Sequence, residues 1–254
     1  MMKWLDTVRM NYMIRSSQPE GNYMAIKSSN VKKLNLIVTG SKGTVGYTIK
    51  EFLNSLFNIT EFDLPEDDVL DYDQLLTKTA YHDVLIHLAW DKSENYNTET
   101  ASIDNIKMIQ NVYHACLINK VKRVIFVSSV YVHDFATHTD NKHIDSNTPE
   151  TPGCIYGISN WYGEKLGQYY CQKGMEIICI RLGGVIWNNV PSDDPNDQKV
   201  FLDRRDCAEM FKACILAPTV PNNFTTFYAV SNNKGRIHDF SNPFGWKPKY
   251  GWPQ

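Results

Sequence analysis

The chain has 254 residues, of which 43% are hydrophobic and 21% charged, and a formal net charge of −2. That length and composition fit one globular domain with a sizeable core. The near-neutral balance excludes the basic stripe of a nucleic-acid binder, and no apolar run is long enough to cross a bilayer as a helix.

Residues 1–33 hold five methionines and scattered polar residues without periodicity. They read as a flexible or surface-packed extension ahead of a folded domain, 34–254. No apolar stretch follows Lys3 and Arg9, so a secretory signal is not expected; Asp6 and Glu20 offset Arg9 and Arg15 as a transit signature. From residue 34 the pattern becomes strand, turn, helix, repeated. Apolar runs predict strands over 34–39, 59–64, 83–89, 123–129, 175–181 and 224–230. Helical spacing links Val45, Ile49, Phe52, Leu53 and Leu56, then Ile103, Ile106, Val112, Tyr113 and Cys116. Further helices are predicted over 157–171 and 203–216, and 242–248 reads as a turn-rich surface segment. Strands alternating with helices predict an α/β fold, a Rossmann-type doubly wound parallel sheet. The chain after Arg181 is short and leaves room for only a small C-terminal substrate lobe. Cys116, Cys154, Cys171, Cys179, Cys207 and Cys214 form no CxxC pair and mostly sit in apolar runs, as reduced, buried thiols of a cytoplasmic protein do.

The first strand ends in Thr39-Gly40-Ser41-Lys42-Gly43-Thr44-Val45-Gly46, and a helix opens there. In that setting the G-x-x-G-x-x-G spacing has a physical use. Gly40 permits the tight turn, Gly43 lets the backbone approach a pyrophosphate, and Gly46 lets the helix pack closely. The free N–H groups at the helix start, with Thr44 and Val45, face the phosphates. Asp63 closes the second strand, where an acid accepts hydrogen bonds from the adenosine ribose hydroxyls; this favours NAD. Lys42 pulls the other way, since a cation there meets a 2′-phosphate, so NADP stays open.

Several motifs in order resemble the extended short-chain dehydrogenase/reductase family, the NAD-dependent epimerase/dehydratase family. Asp68-Val69-Leu70-Asp71 is similar to its segment beside the adenine. Asp83–Ala89 resembles the strand whose end, Leu88-Ala89, lies along the cofactor, and Asn105 sits where the family keeps an asparagine in the next helix. Val124–Ser129 resembles the strand that delivers a catalytic serine, Ser129. Tyr156-Gly157-Ile158-Ser159-Asn160 falls on the Tyr-x-x-x-Lys segment. Within the family, 155–159, 201–206, 227–233 and 245–248 resemble the uronate dehydrogenases, which oxidise the anomeric carbon of a hexuronic acid, while 128–134 also resembles deoxysugar 4-ketoreductases. The resemblance implies Tyr156 as acid/base, Ser129 as orienter of the substrate oxygen and Asn160 as ribose contact. It places Val130, Tyr131, Gly184 and Lys199 beside a sugar, uronic acid or nucleotide-sugar substrate. It also implies a homodimer through the helix from Tyr156 to Cys171.

The departures from the family pattern matter. Asn160 stands at the lysine position, one helical turn from Tyr156 and on its face. Asparagine supplies a hydrogen bond but not the charge that lowers a tyrosine pKa from about 10. Lys165, nine residues from Tyr156, falls on the opposite face. Val130 stands where uronate dehydrogenases have asparagine, and Lys199 replaces their carboxylate-gripping arginine without its fork. His133, His138 and His143 have no metal-ligand spacing and read as a solvated loop, with no metal expected. His87 reads as packing at a strand end, and Trp161 and Tyr162 as packing of the long helix, with Trp161 in a dimer face. Two readings result: an NAD(P)-dependent sugar oxidoreductase or epimerase, or a catalytically degenerate dinucleotide-binding module with a regulatory or structural role.

Overall fold

Alternate residues of a strand point to opposite faces, and here both faces are apolar. Leu36, Val38, Val84, Ile86, Ile125, Ile178 and Ile180 join one core cluster, while Ile37, Leu85, Val124, Phe126, Ile177 and Cys179 join another. Strands buried on both sides require covering layers on both sides. The computed structural model describes residues 32–134 and 143–253. It contains six strands: β1 Asn35–Thr39, β2 Asn58–Phe62, β3 Val84–His87, β4 Arg123–Ser129, β5 Glu176–Leu182 and β6 Phe224–Ala229. All pair in parallel in the order β2-β1-β3-β4-β5-β6.

The helices are α1 Thr44–Leu53, α2 Tyr72–Thr79, α3 Ile103–Ile118, α4 Ile155–Cys171, α5 Pro195–Val200 and α6 Arg204–Leu216. Residues of α1 and α6 join the first cluster, and residues of α2, α3 and α4 the second. A third, small cluster of Val130, Ile144, Val200, Tyr228 and Val230 lies beyond the strand ends. The chain runs from β1 outward to β2, then returns to β3 on the other side of β1. That reversal opens a crevice at the carboxyl ends of β1 and β3.

The predicted elements are present with shifted ends. β3 stops at His87 because its partner β1 turns away at Gly40, where φ is 68°; Leu88 N–H makes the last bond of that ladder, to the Thr39 carbonyl at 3.1 Å. Two short helices have no counterpart in the sequence reading, and each starts on an aspartate cap. Asp71 accepts from Gln74 N–H at the start of α2, and Asp194 from Asn196 N–H at the start of α5. The segment 242–248 is not simply a surface turn. Trp246 is buried beside Phe227 and Phe240, and its Nε1 donates to the Asp206 carbonyl at 3.1 Å. Aromatic side chains there close the face of the sheet that α6 leaves open. Cys116, Cys179, Cys207 and Cys214 are buried, Cys154 and Cys171 half-buried, and all six are free thiols. Residues 1–31 and His138 lie outside the described residues. Among the described residues no helix is long and apolar enough to cross a membrane, and no group of His, Cys, Asp and Glu is placed to hold a metal ion.

Candidate active site

The loop 40–46 sits in the crevice. Gly40 has φ of 68°, and a Cβ there would lie 2.6 Å from the Ala89 nitrogen and 2.7 Å from the Leu88 carbonyl carbon. Only glycine lets the β1 exit and the β3 exit touch, so Gly40, Leu88 and Ala89 form one seam. Thr39 stitches it: its Oγ1 pairs with His87 Nδ1 at 2.7 Å and accepts from Leu88 N–H at 3.2 Å. His87 is buried as the sequence reading expects, and burial pushes its pKa down to about 3, so it stays neutral. Gly46 packs against the loop itself rather than a strand, since a Cβ would fall 2.5 Å from the Ser41 carbonyl oxygen. Gly43 caps α1 in an extended conformation with no side-chain hydrogen bond, and a Cβ there would meet only the Gly40 carbonyl at 3.4 Å. Thr44 and Val45 follow it in the first turn of α1. The result is a side-chain-free helix start with N–H groups available to an anion.

Asp63 closes this loop from the β2 side. Its Oδ2 accepts from Lys42 N–H at 2.7 Å and its Oδ1 from Leu64 N–H at 2.8 Å. The Lys42 ammonium is already engaged, donating to Glu66 and to the Leu64 carbonyl. The Glu66 carboxylate raises the Lys42 pKa above its ordinary value, and Glu61 and Asp63 act in the same direction. Asp68 accepts from Leu70 N–H at 2.9 Å, and Val69 is buried in the second cluster with its carbonyl held by Asn111. Asn105 is buried, but its amide is committed to the loop after β3. Its Oδ1 accepts from Asp91 N–H at 2.6 Å, and its Nδ2 donates to the Asp91 carbonyl at 3.3 Å. Its amide pins Asp91.

The β4 end holds the serine and, close by, the tyrosine that the sequence singles out. Ser129 Oγ accepts from Tyr131 N–H at 3.2 Å, which fixes the 3-10 turn Val130–Val132. That turn meets α4 so closely that a Cβ on Gly157 would lie 2.1 Å from the Tyr131 carbonyl oxygen. Tyr156 therefore sits against Tyr131, with ring centroids 5.8 Å apart, and against Trp90 edge-on at 5.3 Å. Burial holds the Tyr156 phenol above its ordinary pKa, while hydrogen bonding by the Ser129 and Asn160 side chains pulls it back. Cys154 and Glu94 push it further up, and no cation stands among these influences. Asn160 is 1% exposed, and its Nδ2 donates to the Tyr156 carbonyl at 2.9 Å, so one amide proton is spent on the helix itself. Lys165 points elsewhere, 3.5 Å from Glu150 and over the Trp161 ring. Under this corner lies a buried network. Glu164 accepts from Ser128 Oγ at 2.7 Å and from Arg181 Nε at 3.0 Å, and Arg181 also reaches Glu150 and the Tyr228 hydroxyl.

The residues assigned to substrate divide. Tyr131 is half-buried and stacks on Tyr96 at 5.2 Å with rings 2° from parallel. Gly184 forms a bridge to Phe201, and a Cβ on it would meet nothing within 4 Å. Lys199 reaches Asn196 Oδ1 at 3.5 Å. Val130 is buried in the third cluster, so its side chain serves packing rather than an open surface. His133 is likewise not solvated: it is buried in a bridge to Thr151 that draws the loop onto the body, while His143 is exposed. Trp161 is half-buried, and Tyr162 accepts from Gln110 of α3 at 2.8 Å. Trp90, Glu94 and Tyr96 were missed by sequence reasoning. They lie in the polar, aperiodic stretch after β3, where nothing in the pattern marks which side chains turn inward.

The loop at the β1–β3 crevice and the tyrosine–serine corner at the end of β4 lie along one edge of the sheet, and the comparisons with known proteins bear on the fold that carries them. L-arabinose 1-dehydrogenase (NAD(P)(+)) of Haloferax volcanii is 25% identical over 244 residues, 84% of this chain and 96% of that protein. A uronate dehydrogenase of Pseudomonas syringae pv. tomato is 29% identical over 234 residues, 84% of this chain and 81% of that protein. The solved structure of a mutated uronate dehydrogenase superposes with a TM-score of 0.73 at 26% identity, over 86% of this chain and 82% of that one. The model of the NAD dependent epimerase/dehydratase family matches residues 36–200. The chain belongs to the NAD dependent epimerase/dehydratase family.

Proposed function

We propose that this protein is an NAD(P)-dependent sugar oxidoreductase with Tyr156 as its proton-transfer residue. The observation that carries the reading is the meeting, on one sheet edge, of a side-chain-free helix start at Gly43 and the Tyr156–Ser129 pair. Gly43, Thr44 and Val45 would hold the pyrophosphate, Asp63 the adenosine ribose, and the Leu88-Ala89 seam the run toward the nicotinamide. Bound there, the dinucleotide supplies the hydride acceptor or donor. NAD is favoured over NADP because a 2′-phosphate would enter a neighbourhood holding Glu61, Asp63 and Glu66, with Lys42 already engaged. Ser129 holds the reacting oxygen of the sugar, and Tyr156 takes or returns its proton. A phenol held above its ordinary pKa is protonated at neutral pH. It is then ready to donate in the reductive direction, whereas oxidation needs the phenolate. The reading includes a homodimer through α4 and its neighbour α3, whose Ile103, Ile118, Ile158 and Tyr169 are exposed apolar side chains.

A second reading is favoured by one observation: among the described residues, no cation is one of the main influences on the Tyr156 pKa. Under it, the chain binds the dinucleotide without turning over a sugar. The deciding experiment measures NADH binding by fluorescence and hydride transfer with neutral aldoses, uronic acids and 4-keto nucleotide sugars. The oxidoreductase reading expects turnover with one of these classes and a Tyr156→Phe variant that binds NADH normally while losing 10²- to 10⁴-fold in rate. Binding without turnover across the panel in both directions would establish the second reading.

A further inference from the structure

Asp91 to Ser102 is a polar segment in which Glu94 is the one buried side chain, 2% exposed. A carboxylate is costly to bury unless each oxygen finds a donor. Glu94 Oε2 accepts from Ser102 N–H. Oε1 is equally buried and has no hydrogen-bond partner among the described residues. The same segment covers the catalytic corner from two sides of Glu94. Before it, the Trp90 ring packs edge-on against Tyr156, and Trp90 Nε1 donates to the Glu94 carbonyl at 3.2 Å. After it, Tyr96 stacks on Tyr131. Glu94 is therefore held between two aromatic contacts to the reacting corner, close enough for its charge to act on the Tyr156 hydroxyl.

We propose that Glu94 Oε1 is the hydrogen-bond acceptor for a hydroxyl of the bound sugar, and that it selects an uncharged aldose over a uronic acid. The proposal rests on the oxidoreductase reading above and deepens it. A buried acceptor without a partner is completed by a ligand O–H, which the ring hydroxyls of a sugar supply. What separates the two ligand classes is charge: the carboxylate of a uronic acid adds like-charge repulsion beside Glu94. The α5 side reinforces this. Asp197 acts on the Tyr131 hydroxyl with a second negative charge, and Lys199, the cation nearest in sequence, reaches Asn196.

The test compares the full-length protein with Glu94→Gln and Glu94→Asp, each first shown to bind NADH as the parent does. Sugar binding to the NADH complex is measured by calorimetry with L-arabinose, D-glucose and D-glucuronate, and turnover is measured beside it. The parent is expected to bind the neutral sugars at least tenfold more tightly than glucuronate. Glu94→Gln puts an N–H₂ donor where the open oxygen was and removes the charge. It should weaken neutral-sugar binding about tenfold, raise KM more than it lowers kcat, and narrow or invert the discrimination against glucuronate. Glu94→Asp keeps the charge but retracts the oxygen, so neutral binding should fall while glucuronate stays excluded. Tighter binding of glucuronate by the parent overturns the proposal, as does an unchanged neutral-to-uronate ratio in Glu94→Gln, which would leave Glu94 as a loop anchor. The binding arm keeps the two readings separate: selective binding of neutral sugar without turnover would support the recognition role and defeat the oxidoreductase reading alone. Binding of no sugar at all would overturn both.

Discussion

A tyrosine whose main influences among the described residues include no cation is an acid first and a base only at high pH. Burial raises the Tyr156 pKa, and the two groups that oppose it, Ser129 and Asn160, are neutral hydrogen-bond partners. Oxidation should therefore rise about tenfold per pH unit across the range below that pKa, because the phenolate fraction does. Reduction should stay flat from mildly acidic to weakly alkaline pH. Asn160→Lys puts an ammonium on the Tyr156 face of α4. It should move the oxidative profile one to three units toward acid, and so raise the rate at pH 7 roughly 10- to 1000-fold. A parent profile already flat below pH 8 would show that another group lowers the phenol pKa. The positions of Tyr156, Ser129 and the glycine loop were legible in the sequence because each lies in a short motif at a fixed place on its own element. The burial of Glu94 was not, because it depends on how an aperiodic loop folds over a different strand. Asn105 was legible as a polar position in a helix, but not as an amide spent on Asp91.

α4 brings two elements of the site together. Gly157 allows it to touch the turn after Ser129, and Glu164, two turns further on, anchors it to β5 through Arg181. Both partners of that ion pair are essentially without solvent exposure. Removing one partner leaves a buried charge uncompensated, which typically costs about 3–5 kcal/mol. Arg181 retains the partly exposed Glu150, so Glu164→Ala should fall at the lower end, about 3 kcal/mol. That is a fall in melting temperature of roughly 6–12 °C for a domain of this size. Urea denaturation of Glu164→Ala beside Glu150→Ala checks this. The Glu150 variant should lose less, and equal losses would place the main anchor at Glu150. At this scale the sequence was clear about long periodic elements and blind to short ones. α3 and α4 have several turns of apolar repeat, whereas α2 and α5 have 8 and 6 residues and are announced mainly by the caps Asp71 and Asp194. The end of β3 was misplaced because Leu88 and Ala89 are as apolar as the strand before them; the ladder stops where its partner β1 turns away at Gly40.

The whole molecule is organised around the reversal of strand order beside β1, which puts the loop 40–46, Asp63 and the β3 exit in one crevice. A ligand that binds this crevice only in the folded state stabilises the entire domain. At a concentration one hundred times its Kd the gain is about 2.7 kcal/mol, which is a rise in melting temperature of roughly 5–11 °C. Thermal denaturation can therefore read cofactor choice without a substrate. NADH should raise the melting temperature at concentrations where NADPH barely does, because the 2′-phosphate must displace Lys42 from Glu66 and accept the company of Asp63 and Glu61. Glu66→Gln weakens the hold on Lys42 and removes one of the repelling charges. It should raise the NADPH shift toward that of NADH and leave the NADH shift nearly unchanged. If NADPH instead stabilises the parent as well as NADH does, Lys42 exchanges Glu66 for the phosphate at little cost, and the acids around β2 do not set the cofactor preference. No shift with either dinucleotide would mean that the glycine loop, although shaped for a pyrophosphate, holds none.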